Sequence, residues 1–148
     1  MAFIDPQKAD GVWRRVQGGI SDGEDLVSMA ALKAGDGAVL LQLSQRFSGK
    51  EAAALQKLSA QAICHEACLR GIYQLLTGRY LPPAPATQPV GENTQGALRR
   101  CYGRGLQCIA EYETRSGDPQ FGFVFTQLAQ QEKEACQALL TLLGNLEF

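Results

Sequence analysis

The sequence predicts an all-α protein: a four-helix bundle of two antiparallel helical hairpins, joined by a long proline-rich crossover between the second and third helices. Three observations carry this. Apolar residues recur at steps of three and four in four separate stretches, the period of one helix face. Strand-like alternation appears nowhere in the 148 residues. Four of the six prolines fall in one segment, 79–93, between the second and third periodic stretches.

Composition sets the bounds. A chain of 148 residues suffices for one domain with its own core. Apolar residues make up 45% and the formal charge is −1, with acids and bases interspersed. No basic stripe follows a phosphate backbone, so nucleic-acid binding is not expected. The apolar runs fall short of the ~20 residues that cross a bilayer, and residues 1–15 (MAFIDPQKADGVWRR) lack the apolar segment of a secretory signal. Five cysteines, an odd number, do not resemble a disulfide framework. Cys101 and Cys108, seven apart on one predicted helix, are separated by roughly 10 Å along its axis. A reducing cytoplasm is the expected location.

Residues 1–20 read as an N-terminal segment, irregular or a short helix, with Trp13 and Val16 available to dock. The bundle is expected over 21–148. Ser21 and Glu24 form a capping box that opens α1 at about 22–47. The inward stripe of α1 reads Leu26, Met29, Lys33, Gly37, Leu40, Leu43 or Ser44, and Phe47. Gly35 and Gly37 each weaken a helix interior by ~1 kcal/mol relative to alanine, so packing must supply the rest. A second capping box, Ser48 with Glu51, starts α2, and the joint at Gly49 is short enough to force an antiparallel hairpin. Helix α2 runs to about Thr77, with Leu55, Leu58, Ala62, His65, Leu69, Ile72 and Leu76 on its stripe.

The segment 79–93 (RYLPPAPATQPVGEN) is expected to be extended, because proline excludes helix. At ~3.1 Å per residue its reach is ~43 Å, matching the ~42 Å length of a 28-residue helix. It can therefore carry the chain back to the end where α2 began. Asn93 or Thr94 caps α3, expected to about Thr114, with Leu98, Cys101, Gly105, Cys108 and Tyr112 inward. Asp118 and Pro119 take N-cap and N1 roles for α4, about 119–143, whose stripe is Phe121, Phe125, Leu128, Glu132, Ala135, Leu139 and Leu142. Gly144-Asn145 is expected to end it.

Each stripe is interrupted near its middle: Lys33 on α1, Ala62 and His65 on α2, Gly105 on α3, Glu132 and Ala135 on α4. A di-iron carboxylate bundle places its six ligands at such positions, one glutamate from each of two helices and Glu-x-x-His from each of the others. Over about 21–145 the chain resembles the ferritin-like superfamily, and within it the rubrerythrin-like proteins. The resemblance is carried by LLQLSQRFSGKEAAALQKLSAQAICHEACLRGIYQLLTG, LRRCYGRGLQCIAEYE and DPQFGFVFTQLAQQEKEACQALLTLLG. It implies a ferritin-like four-helix bundle and a homodimer.

In the family's register the α1 glutamate lies seven residues before the position of Leu40, which is Lys33, and the α3 glutamate falls on Gly105. The two Glu-x-x-His motifs fall on 62–65 and 132–135. Only His65 and Glu132 remain of six ligands, as remnant metal positions, while Lys33, Ala62, Gly105 and Ala135 are substituted. One carboxylate and one imidazole cannot offset the charge of two irons. The reading is thus a degenerate di-iron site with no cofactor, a pseudoenzyme with a structural or interaction role and an unknown protein partner. The alternative is a metal-dependent oxidoreductase, of peroxidase or oxidase type, with an altered iron site at His65 and Glu132, aided by Glu134 or a cysteine. A third option places a small apolar ligand in the vacated core.

Bland readings stand beside these. A lone histidine on an apolar face is more often a hydrogen-bonded core residue than a ligand. An interior acid such as Glu132 calls for a partner; Lys33 can supply an ammonium opposite it, with His65 as a neutral hydrogen-bond partner. Cys64 and Cys68 share a helix face, but His65 is turned ~100° from Cys64, so they make a poor zinc site. Buried cysteine as a small apolar filler is the commoner case.

Overall fold

The computed structural model describes the backbone of residues 6–82, 84 and 88–146, with side chains from residue 23 onward apart from Glu24. Four helices make up the described residues, in the order α1 (Pro6–Ser44), α2 (Gly49–Thr77), α3 (Thr94–Thr114) and α4 (Gly122–Leu146), and no strand occurs among them. Helix α1 packs chiefly on α2 and α3 on α4, with narrower α1–α3 and α2–α4 contacts.

The start of α1 departs from the sequence expectation. The helix begins at Pro6 and passes through residue 21 without a break, so the Ser21–Glu24 capping box does not open it. A capping box acts only where its serine leaves helical dihedrals, and Ser21 stays helical. The side chains of Trp13, Val16, Ser21 and Glu24 lie outside the described residues, as do Pro83 and Pro85 of the connection.

Other boundaries shift by a few residues. Helix α1 stops at Ser44, and residue 48 sits extended at the N-cap of α2 (φ −136°, ψ 167°) but makes no side-chain capping bond. Helix α2 ends at Gly78, whose left-handed φ of 71° lets its N–H reach the Gln74 carbonyl at 2.8 Å. Asn93 caps α3, its Oδ1 accepting from the Gly96 N–H at 2.7 Å. Asp118 caps a turn rather than the helix: its Oδ1 accepts from the N–H groups of Gln120 and Phe121, and α4 starts at Gly122. At its far end α4 continues past Gly144-Asn145 to Leu146.

Two apolar clusters fill the bundle. One joins Leu26, Met29 and Ala30 of α1 to Leu69 and Ile72 of α2, Cys108 and Tyr112 of α3, Phe121 of the turn before α4, and Phe125 and Leu128 of α4. The other joins Val39, Leu40 and Leu43 to Leu55 and Leu58, to Ala97, Leu98 and Cys101, and to Leu139, Leu142 and Leu143. Residues 26–30 of α1 thus meet late residues of α2 while residues 39–43 meet early ones, and late residues of α3 meet early residues of α4, so each pair is antiparallel. The α3 stripe is buried as predicted; Leu76 of α2 is exposed instead. Between the clusters, at the middle of every helix, the buried side chains turn polar.

Gly37 has a packing role there. An ideal Cβ on it would stand 3.2 Å from Ile63 Cγ1 and 3.4 Å from the Ser59 carbonyl. Its own carbonyl accepts a 2.6 Å hydrogen bond from Ser59 Oγ. The glycine lets α1 and α2 approach closely enough for that bond, which offsets its low helix propensity. The span Asp25–Ser44 of α1 is long and apolar enough to pass for a membrane span, more than the sequence reading allowed. Its two central charges, Lys33 and Asp36, are buried and paired inside the bundle.

Candidate functional site: a buried polar layer around Glu132

The middle of α4 supplies Glu132, 6% exposed, at the stripe position between Leu128 and Leu139. Lys33 of α1, 2% exposed, donates from Nζ to Glu132 Oε1 at 2.6 Å. His65 of α2 places Nδ1 3.3 Å from Glu132 Oε2. The Tyr112 hydroxyl of α3 lies 3.4 Å from the same ring nitrogen, with the two rings edge to face. All four helices therefore contribute to one chain of polar contacts. On the far side of the ring, Nε2 is 2.9 Å from Gln131 Oε1. A side-chain amide carries both donor and acceptor, so Gln131 can serve either histidine tautomer.

The six predicted positions converge. Lys33, Ala62, Glu132 and Ala135 line one small cavity, His65 bonds to Glu132, and an ideal Cβ on Gly105 would lie 3.3 Å from Glu132 Oε1. That same Cβ would come 2.5 Å from Cys136 Sγ, inside van der Waals contact. The residue that fills the space over Gly105 is Cys136, one step beyond Ala135. The cavity volume is about 20 Å³, enough for one water molecule. An apolar organic ligand would enter this cavity only if the side chains around it moved.

Two charged residues escaped the sequence reading. Asp36, 4% exposed, lines the same cavity, and Arg104 Nη1 donates to its Oδ1 at 3.0 Å. The signal was present: Met29, Lys33, Asp36, Leu40 and Leu43 step by four, three, four and three along one face of α1. Gly37, its neighbour on the predicted stripe, is buried as well, against α2. The layer thus holds two cations, Lys33 and Arg104, against two carboxylates, Asp36 and Glu132, and their charges cancel.

Protonation follows the contacts. Burial works against ionising Glu132, but the His65 hydrogen bond and the Lys33 charge outweigh it and hold its carboxyl below the ordinary value. Burial also works against a charged Lys33, yet the Glu132 carboxylate overcomes this and raises its affinity for the proton. Asp36 goes the other way, because burial pushes its carboxyl up more than Lys33 and Arg104 pull it down. Burial raises the thiols of Cys101 to about 12 and of Cys108 and Cys136 to about 11. It raises the Tyr112 phenol as well. These thiols are protonated apolar fillers rather than nucleophiles. Cys64 is exposed while His65 beside it is buried, so the two face apart.

Chemically the layer is a closed set of satisfied partners. Among the described residues no cluster of three or more His, Cys, Asp or Glu side chains is arranged to hold a metal ion. No protein-family model, no curated protein and no solved structure matches the chain.

Proposed function

We propose that this protein is a ferritin-like bundle in which a salt-bridged polar layer stands where a di-iron centre would sit, and that its role is structural or interactive rather than catalytic. One observation carries the reading: Lys33 Nζ lies 2.6 Å from Glu132 Oε1 at the centre of the bundle. An ammonium there neutralises one of the layer's two carboxylates and repels a divalent cation. A di-iron pair needs several anionic oxygen donors, and the donors present, Glu132, Asp36 and His65, are already paired.

The connection between α2 and α3 supports the ferritin-like topology. Arg70 of α2 donates to the Leu81 and Pro82 carbonyls at the start of the connection. At its other end the Val90 and Glu92 carbonyls accept from Arg46, beside the start of α2, and the Val90 N–H donates to Gln42 Oε1. This is how a crossover running the length of the bundle would be held. A cytoplasmic location belongs to the same reading, through the five free thiols.

A mononuclear iron site for oxidoreductase chemistry is the competing reading, and Asp36 on the Glu132 cavity is the observation in its favour. Anaerobic ferrous loading followed by elemental analysis separates the two. Negligible iron after desalting is the expected result. One iron per chain, lost on Glu132→Gln, would establish the competitor. Two irons with an oxo-bridge absorption in air would overturn the proposal outright.

A further inference from the structure

Glu111 stands in the last turn of α3, the end of a helix where the dipole disfavours an acid. Glu113, in the same turn, is matched by Lys133 at 2.8 Å. Glu111 has no such partner among the described residues. Neither the helix dipole nor an ion pair within the chain gives a reason for its charge.

The cleft beside it does. Helices α1 and α3 meet only narrowly, and between them lies an open cavity of about 440 Å³ with Glu111 on its rim. The central cavity beside Glu132 measures only about 20 Å³. Clefts of roughly 300–1,000 Å³ are the size that takes small organic ligands. The floor of this one is apolar, with Met29 and Cys108 buried and Leu32 half-buried beside them. Burial raises the Cys108 thiol to about 11, so the floor carries no charge at neutral pH.

The exposed rim is polar. Ser28 of α1 and Gln107 of α3 offer hydrogen bonds from the two walls. Asp25, the other acid on the rim, already accepts from Arg115 Nη2 at 3.2 Å. Lys33 does not line the cleft, and Glu132 meets its charge. One unmatched negative charge, that of Glu111, thus stands over an apolar floor.

We propose that the cleft between α1 and α3 binds a small organic cation with an apolar body, an alkylammonium or arylammonium, with its charge at Glu111 and its body over Met29, Leu32 and Cys108. An anion would meet the Glu111 carboxylate, and a neutral apolar molecule would leave that carboxylate unmatched. Met29 suits such a floor, because a flexible thioether adapts to ligands of different shape. The cleft shares no residue with the central cavity, so its occupancy is independent of what fills the centre of the bundle.

Isothermal titration with n-octylammonium, n-octanol and n-octanoate tests this, since chain length stays constant while charge changes. Amide shifts in nuclear magnetic resonance locate the site, and circular dichroism confirms that every variant is folded. Octylammonium is expected to bind saturably, with shifts centred on Asp25–Leu32 of α1 and Gln107–Glu111 of α3. Octanol should bind about fivefold more weakly, and octanoate more weakly still. Glu111→Gln should lower the octylammonium affinity about fivefold, and Glu111→Lys should turn the preference to octanoate. Ser28→Trp, or Gln107→Trp from the opposite wall, fills the mouth and should abolish binding. No saturable binding of octylammonium, equal affinity for octanoate, shifts that map elsewhere, or binding indifferent to Glu111→Gln or to both tryptophans would each overturn the proposal.

Discussion

Lys33 and Glu132 are 99 residues apart in the chain and 2.6 Å apart in the fold, each almost wholly buried. The ammonium and carboxylate are mutually necessary, since both are shut off from bulk solvent. A buried pair is weak grounds for added stability, because desolvation consumes most of the attraction. Losing one partner is another matter.

Lys33→Met should therefore destabilise the protein by ~3–5 kcal/mol, the usual penalty for orphaning a buried charge. Lys33→Met combined with Glu132→Gln should cost less than Lys33→Met alone. Urea unfolding of the two variants makes the comparison, and equal losses would show that Glu132 does not depend on Lys33.

The pH dependence should carry three signatures. Glu132 titrates below its ordinary 4.5 in the fold, so its stabilisation is present above 4.5 and lost as pH falls through the lowered value. Lys33 titrates above 10.5, so its contribution holds below 10.5 and is lost as pH rises through the raised value. Asp36 opposes Glu132: its folded value lies above 3.8, so the native state binds that proton more tightly and stability falls as pH rises through this window. Unfolding midpoints measured from acid to neutral pH should rise more steeply in Asp36→Asn than in the parent, and less steeply in Glu132→Gln.

Gly105→Ala should be destabilising by ~1–3 kcal/mol, the scale of overpacking in a filled core, because the new Cβ would meet Cys136 Sγ at 2.5 Å. Adding Cys136→Ala should recover most of the loss in thermal unfolding. The same contact governs any attempt to rebuild a ligand set with Glu at 33, 62 and 105 and His at 135. Iron uptake by that variant is expected only when Cys136 is also reduced to alanine.

The five thiols should divide by burial when titrated with a chromogenic disulfide. Cys64 is exposed and should react fast, and Cys68, half-buried with its thiol raised by burial and by Cys64, should follow more slowly. Cys101, Cys108 and Cys136 are buried and should react only in denaturant. A fast phase of more than two thiols would contradict the packing around Gly105.

Periodicity alone located the four helices, since an apolar stripe at steps of three and four is a local property of the chain. It also found the break in each stripe, and so marked Lys33, His65, Gly105 and Glu132 as one layer before any contact was known. Asp36 was legible in principle, but a stripe is several residues wide: Asp36 and Gly37 are both buried, and only the packing of α1 shows that Asp36 faces Arg104 and the central cavity while Gly37 faces α2. The start of α1 was misread because Ser21 and Glu24 make a start signal that a continuous helix overrides. Tertiary packing alone decided that Arg104 neutralises Asp36, that Cys136 fills the space over Gly105, and that the central cavity is no larger than one water molecule. Those outcomes depend on which side chains face one another across the bundle, and pairing across helices has no period for a sequence to display.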